Sequence, residues 1–397
     1  MIQEFWNSCV PLIGQTTRHV IFLWFVKKMA LASPIDPSIT EHTISLESCP
    51  GNMFYLASGP INGKIIIFIH GWPELSLSWR HQLSVLGKLG FRAIAPDMRG
   101  YGRSYIPTTH QEVEKRYNVN DLICLLDNLR GTTSKAVFIG HDWGGPIAWN
   151  LAQHFPDRVH GVGSLVVPAT AAKHRNAPNA VDYFRSMDNC NQWDYQVHHF
   201  DHPKASYEEL DVDIKRAVEA MFQATYTQPK PGAWNEADFV RMYDQVKRYK
   251  ENQQNPSPNK ELNSWFPLGL SNIKHLIKRD ERVVTKNDVN KYVESIERNG
   301  GFKVPGYYYQ NHQADDDYGR ESINKGLIDV PSLMITAQYD TVCTPKISDN
   351  MENICSDLTR GHVFCGHWAQ QEKPNEINAI IVNWLNKIGW WPMPSKM

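Results

Sequence analysis

Asp142 stands in Gly140-His141-Asp142-Trp143-Gly144-Gly145, directly after the apolar run Ala136–Ile139 and before a helix-like stretch, Pro146–His154. A β-rich run, a small–x–acid–x–small pentad and a helix make a sharp elbow. Its central side chain is pushed outward, and small neighbours let the backbone turn that tightly. A carboxylate presented in this way is a nucleophile. Attack on an electrophilic carbon makes an alkyl ester, which points to epoxides or alkyl halides as substrates rather than carboxylic esters. Hydrolysis of that ester needs a base and an acid to orient it. His367, in Gly361-His362-Val363-Phe364-Cys365-Gly366-His367-Trp368, and Asp340, directly after the strand-like Ser332–Tyr339, supply those residue types. His367 is expected to activate water, and Asp340 to fix its tautomer and stabilise the imidazolium. His362 competes as base but lies within a strand. Asp349 competes as acid but falls in a helix expected beyond Pro345.

Strands must deliver these groups to one edge. Lys64–Ile69 is a near-continuous apolar run, fit for a strand buried on both faces, and it ends in His70-Gly71-Trp72-Pro73-Glu74. Val162–Val167, Ser332–Tyr339 and His362–Phe364 read as further strands. Between Val162–Val167 and Ser332 lies a long segment rich in Lys, Glu, Asp, Asn, Trp and Tyr, with helical stretches at Glu208–Phe222 and Ala237–Lys250. It reads as a helical cap inserted into the core, with Asn252–Lys260 as its best loop. The expected division is an N-terminal extension (1–40), a first core part (41–168), the cap (169–328) and a second core part (329–397).

From about Thr43 to about Trp391 the chain resembles the epoxide hydrolases of the α/β-hydrolase superfamily, close to the soluble ones. The resemblance rests on His70-Gly71-Trp72-Pro73, Asp97-Met98-Arg99-Gly100-Tyr101-Gly102-Arg103-Ser104, Gly140-His141-Asp142-Trp143-Gly144-Gly145 and Gly366-His367-Trp368. It implies an α/β fold with a mostly parallel, doubly wound sheet and a lid. It also implies the chain order nucleophile, acid, base, and an oxyanion hole from the backbone N–H groups of Trp72 and Trp143. The family opens epoxides with two lid tyrosines as acids. Trp193-Asp194-Tyr195-Gln196 resembles the first lid motif and nominates Tyr195, with Tyr226 as a weaker competitor. The stretch from Gly301 to Asn311 resembles the second, and register selects Tyr309. The usual aromatic–Tyr–Arg–Asn reads Tyr308-Tyr309-Gln310-Asn311 here, which leaves Tyr308 open as the acid. His70, Pro73, Trp193 and Tyr308 are expected to line the substrate site.

Composition sets outer bounds. The 397 residues are 42% hydrophobic with a net charge of −1, enough for a large core and without the charge bias of a nucleic-acid or anionic-membrane binder. Seven scattered cysteines without a C-x-x-C pair suggest reduced thiols in a cytosolic setting. Cys365 reads as a buried strand neighbour. His198-His199-Phe200-Asp201-His202 fits no common zinc spacing, so neither metal nor cofactor is expected. Asp315-Asp316-Asp317 reads as a solvated loop. Val20–Val26 is far shorter than the about 20 residues a membrane span needs. Residues before Met29 are expected to be dispensable. Ser395-Lys396-Met397 is one residue from the peroxisomal Ser-Lys-Leu, so a peroxisomal share beside the cytoplasm is expected.

The expected activity is therefore hydrolysis of an apolar epoxide to a vicinal diol, with water as co-substrate. Three other readings share the sequence features: a haloalkane dehalogenase, a catalytically silent hydrolase-fold binding protein, and a cyclase opening an epoxide with an internal hydroxyl. Oligomeric state is not legible.

Overall fold

The computed structural model describes residues 36–170, 181, 194–222, 283–340 and 342–392. Eight strands form one sheet: β1 (Thr40–Ser45), β2 (Asn52–Ser58), β3 (Ile65–Ile69), β4 (Arg92–Pro96), β5 (Ala136–His141), β6 (Val159–Leu165), β7 (Ser332–Ala337) and β8 (Leu358–Val363), in the order β1-β2-β4-β3-β5-β6-β7-β8. β2 pairs antiparallel with both β1 and β4, and every other pairing is parallel.

The central strands show why the sheet is covered on both faces. Ile65, Ile67 and Ile69 of β3 join Ala136 and Phe138 of β5 in one core, while Ile66, Phe68, Val137 and Ile139 enter another. Successive side chains point to opposite faces, so an unbroken apolar run serves two layers at once. Each buried isoleucine contributes about 1.5–3 kcal/mol by leaving water. Helices α1 (Arg80–Lys88) and α9 (Pro374–Lys387) supply Leu83, Leu86, Ile377 and Ile381 to one layer. Helices α2 (Lys115–Arg130) and α3 (Gly144–His154) supply Val119, Leu122, Ile147 and Leu151 to the other.

Between β6 and β7 the described elements are helical: α4 (Asp194–Asp201), α5 (Pro203–Asp211), α6 (Ile214–Met221), α7 (Lys286–Arg298) and α8 (His312–Arg320), with tight helical turns over Lys303–Gly306 and Tyr307–Gln310. The single helix expected over Glu208–Phe222 is two. Asp213 interrupts it and caps α6, accepting the Arg216 N–H at 3.0 Å, because a short carboxylate satisfies an orphan helix-end donor. The acidic run at 315–317 is not a solvated loop. It lies in α8, with Asp315 buried and accepting the Lys115 N–H at the start of α2 at 2.8 Å. Asp349 ends a short helical turn, Pro345–Ser348, rather than sitting in a helix. The readings at 237–250, 252–260, Trp193, Tyr226, the first 35 residues and 393–397 lie outside the described residues.

Candidate active site

The elbow is built as its glycines require. Asp142 has φ +49°, in the left-handed region that is rare for non-glycine residues. A Cβ on Gly144 would lie 2.1 Å from the Ile69 carbonyl oxygen, and one on Gly140 would lie 2.0 Å from the Gly144 oxygen. Neither place admits a side chain, so the pentad is small because β3, β5 and α3 converge there. The Asp142 carboxylate is nearly buried and accepts the Trp72 N–H at 2.7 Å. Trp72–Pro73 is a cis peptide, and Trp143 directly precedes α3.

His367 closes the constellation. Its Nδ1 donates to Asp340 Oδ2 at 2.7 Å, and its Nε2 lies 3.7 Å from Asp142 Oδ2. Asp340 Oδ1 accepts the N–H groups of Val342 and Cys343, both at 2.8 Å, which fixes the carboxylate that fixes the ring. Burial alone would raise both carboxyl groups. The His367 charge beside both, its Nδ1 bond to Asp340 and the backbone donors win and hold them below the usual range. Burial likewise opposes a charged ring, but the two carboxylates outweigh it and keep the His367 imidazolium well above its usual pKa. His362 bonds to Thr336 Oγ1 at 2.8 Å away from this group.

A second buried set supports the first. Glu74 accepts the Gly71 N–H at 2.7 Å and the Gln370 amide at 2.7 Å, and faces His141 Nδ1 at 2.9 Å. His141 Nε2 donates to the His367 carbonyl at 2.8 Å. Sequence reading left Glu74 and His141 without roles, although both stand inside quoted motifs. A charged residue beside two strand ends was the available signal. His70 holds the loop. Its Nε2 accepts the Met98 N–H and its Nδ1 donates to the Gly71 carbonyl, both at 2.9 Å, so both ring nitrogens are occupied by backbone. His70 thus serves as scaffolding for the loop through both ring nitrogens.

The lid tyrosines separate cleanly. Tyr308 points its hydroxyl at the Arg99 carbonyl, 2.9 Å, and at Asn118 Oδ1, 3.1 Å, both in the core. Tyr309 faces the chamber. Its ring stacks on His199 at 4.4 Å and meets Trp143 at 5.3 Å, Trp72 at 5.6 Å and Tyr195 at 5.7 Å edge-on. Burial pushes the Tyr195 and Tyr309 phenols well above their usual range, and the Asp142 charge adds to both. The Trp143 side chain, whose ring meets Tyr309 edge-on, opposes that rise. Sequence register selects Tyr309, and the altered motif that left Tyr308 open is answered by where its hydroxyl points.

The arrangement therefore offers a buried carboxylate nucleophile, a histidine–carboxylate pair beside it, and two neutral phenols within the field of that nucleophile. Comparison with known proteins agrees with the architecture. A family model described as alpha/beta hydrolase fold matches residues 64–374. The pig protein named bifunctional epoxide hydrolase 2 is 31% identical over 351 residues, covering 88% of this chain and 56% of its own length. The chain thus spans little more than half of that relative. Epoxide hydrolase A of Mycobacterium tuberculosis is 29% identical over 331 residues, covering 83% of this chain and 92% of its own. The crystal structure of epoxide hydrolase A from Mycobacterium thermoresistibile superposes with a TM-score of 0.70 at 25% identity, over 88% of this chain and 98% of that one. With Asp142 at the end of β5, Asp340 after β7 and His367 after β8, and a family match running across all three, the chain belongs to the alpha/beta-hydrolase fold family.

Proposed function

We propose that the protein is an epoxide hydrolase acting on apolar epoxides under a helical cap spanning about 169–328. One observation carries the reading: Tyr195 and Tyr309 share an edge-on contact at 5.7 Å, and both phenols feel the Asp142 charge. Two neutral donors paired with a carboxylate suit a reaction that must protonate an oxygen while a carbon is attacked. Halide release needs no such pair. The rings of Trp72, Trp143 and Phe302 make the chamber apolar, which favours aryl, terpenoid or fatty-acid epoxides over small polar ones.

Asp142 attacks an epoxide carbon, and one of the phenols protonates the departing oxygen. A hydroxyalkyl ester forms. Esterification removes one of the two carboxylate charges that hold the His367 proton, so the ring yields it more readily when a base is needed. His367 then takes a proton from water, whose oxygen attacks the ester carbonyl. The amides of Trp72 and Trp143 receive the oxyanion. Collapse releases the diol and regenerates the carboxylate. The proton that His367 yields restores the phenol, and the one it takes from water returns the ring to its resting charge, so the cycle closes without net proton uptake.

The test is diol formation from styrene oxide, followed by chromatography. Wild type is expected to form diol, Asp142→Ala none, and Tyr195→Phe/Tyr309→Phe a small fraction. Tyr308→Phe, which alters only a core bond, keeps its turnover. A folded wild type that makes no diol from several epoxides, or a double phenylalanine variant that releases halide at the wild-type rate, would overturn the reading.

A further inference from the structure

The Cys343 side chain has no part in the mechanism, yet it belongs to the catalytic chamber. It follows β7 three residues after Asp340 and is 8% exposed. The charges of Asp340 and Asp142 reach its thiol, and the thiol in turn bears on the Tyr195 phenol. Ligand atoms of Asp340, Cys343 and His367 all lie within 4.8 Å of one another. Among the described residues, no other trio of His, Cys, Asp or Glu brings its ligating atoms this close. The Asp340–His367 contact is accounted for by catalysis, but a thiol completing the triangle is not.

Sulfur, imidazole nitrogen and carboxylate oxygen together form a donor set for zinc and its soft relatives, with the fourth tetrahedral position left to solvent. Hard ions prefer all-oxygen cages, and this trio is not one. We propose that Asp340, Cys343 and His367 form an inhibitory site for a thiophilic divalent cation, zinc-like in chemistry. Binding exchanges one dication for two protons, the Cys343 thiol proton and the Nδ1 proton that His367 shares with Asp340. No oxidant or reductant is involved. The consequence for the reaction follows from the tautomer. With the ion on Nδ1, the remaining ring proton sits on Nε2, which faces Asp142, and that nitrogen can no longer accept a proton from water. The inhibitory part of the proposal rests on the hydrolase reading; the binding part does not.

The probes are Zn2+ and Cd2+, with Mg2+ as a hard-ion control. Epoxide turnover and the ultraviolet cadmium–thiolate absorption are read on the full chain. Cys343→Ala and Cys343→Val, whose backbone amide still caps Asp340, are compared with wild type after their thermal melting confirms folding. Wild type should lose turnover with Zn2+ or Cd2+, recover it with a chelator, and ignore Mg2+. Both Cys343 variants should turn over without metal and need at least about tenfold more ion for the same inhibition, as expected when a ligand or its support is lost. They should also lack one thiolate's worth of absorption. His367→Gln, inactive by design, should lose that same absorption. Undiminished absorption and unchanged sensitivity in folded Cys343 variants would overturn the site. Absorption that depends on Cys343 and His367 in a wild type with no epoxide turnover would uphold the site while removing the hydrolase reading.

Discussion

At the scale of single residues, the proposed reaction separates bond formation from bond breaking. In it Asp142 needs only its carboxylate and the phenols to form the ester, whereas His367 is needed to destroy it. His367→Gln is therefore expected to be alkylated by an epoxide and then to stall. Intact-protein mass spectrometry should show the chain heavier by one substrate, with turnover lowered by at least about a thousandfold, in the range of general-base and triad losses. A variant that neither turns over nor gains mass would place His367 in the first half of the reaction instead. The two tyrosines illustrate how little separates a place at the site from a structural one. Tyr308 and Tyr309 are neighbours in the chain, yet the tight turn over Tyr307–Gln310 sends one hydroxyl to Arg99 and Asn118 and the other ring to His199 and Trp143.

At the scale of elements, α8 and α2 meet through a buried carboxylate. Asp315 accepts the first amide of α2, with Lys115 Nζ 3.9 Å away. Burial, opposed by Lys115 and reinforced by Glu114 and Asp316, pushes its carboxyl up from 3.8 to about 6. A folded-state pKa above the unfolded value means that the native chain binds more protons between those two pH values. Stability then falls as pH rises through that window. Asparagine keeps the acceptor and loses the titration. Denaturant curves of wild type and Asp315→Asn should have a constant offset below about pH 3.8. The variant should then gain on wild type up to about pH 6, by roughly 2–3 kcal/mol in total. A constant difference across the whole range would show that Asp315 titrates normally.

Over the whole molecule, the helices between β6 and β7 are tied to the sheet layers away from the chemistry as well as at it. Arg80, at the start of α1, donates to Gln371 Oε1 at 2.7 Å and to the Val283 carbonyl at 3.2 Å, and pairs with Asp288 at 3.2 Å. Asp288 also closes the capping box of α7 with Thr285. Both charged side chains are largely buried, so removing one leaves the other uncompensated. Arg80→Ala is expected to cost about 3 kcal/mol and to lower the melting temperature, with segment 283–320 becoming protease-sensitive before the sheet. An unchanged melting temperature would mean that these helices are held by their apolar contacts alone.

What the sequence by itself determined is what local chemistry determines. The small–x–Asp–x–small pentad announces an elbow because only glycine fits where β3, β5 and α3 meet, and the buried strands announce themselves because both faces are apolar. The order Asp142, Asp340, His367 follows from where those strands end. Other features depended on partners distant in the chain. β1 (Thr40–Ser45) is mostly polar and largely exposed, so only its ladder with β2 makes it a strand. Asp315 reads as solvated until α2 covers it. Glu74 and His141 lie 67 positions apart, and nothing local joins a carboxylate on one loop to an imidazole at another strand end. The same holds for the Tyr309 stack on His199 and for the thiol of Cys343 beside the triad. Periodicity and turn chemistry are properties of neighbours in sequence, whereas contact, burial and a shifted pKa are properties of neighbours in space.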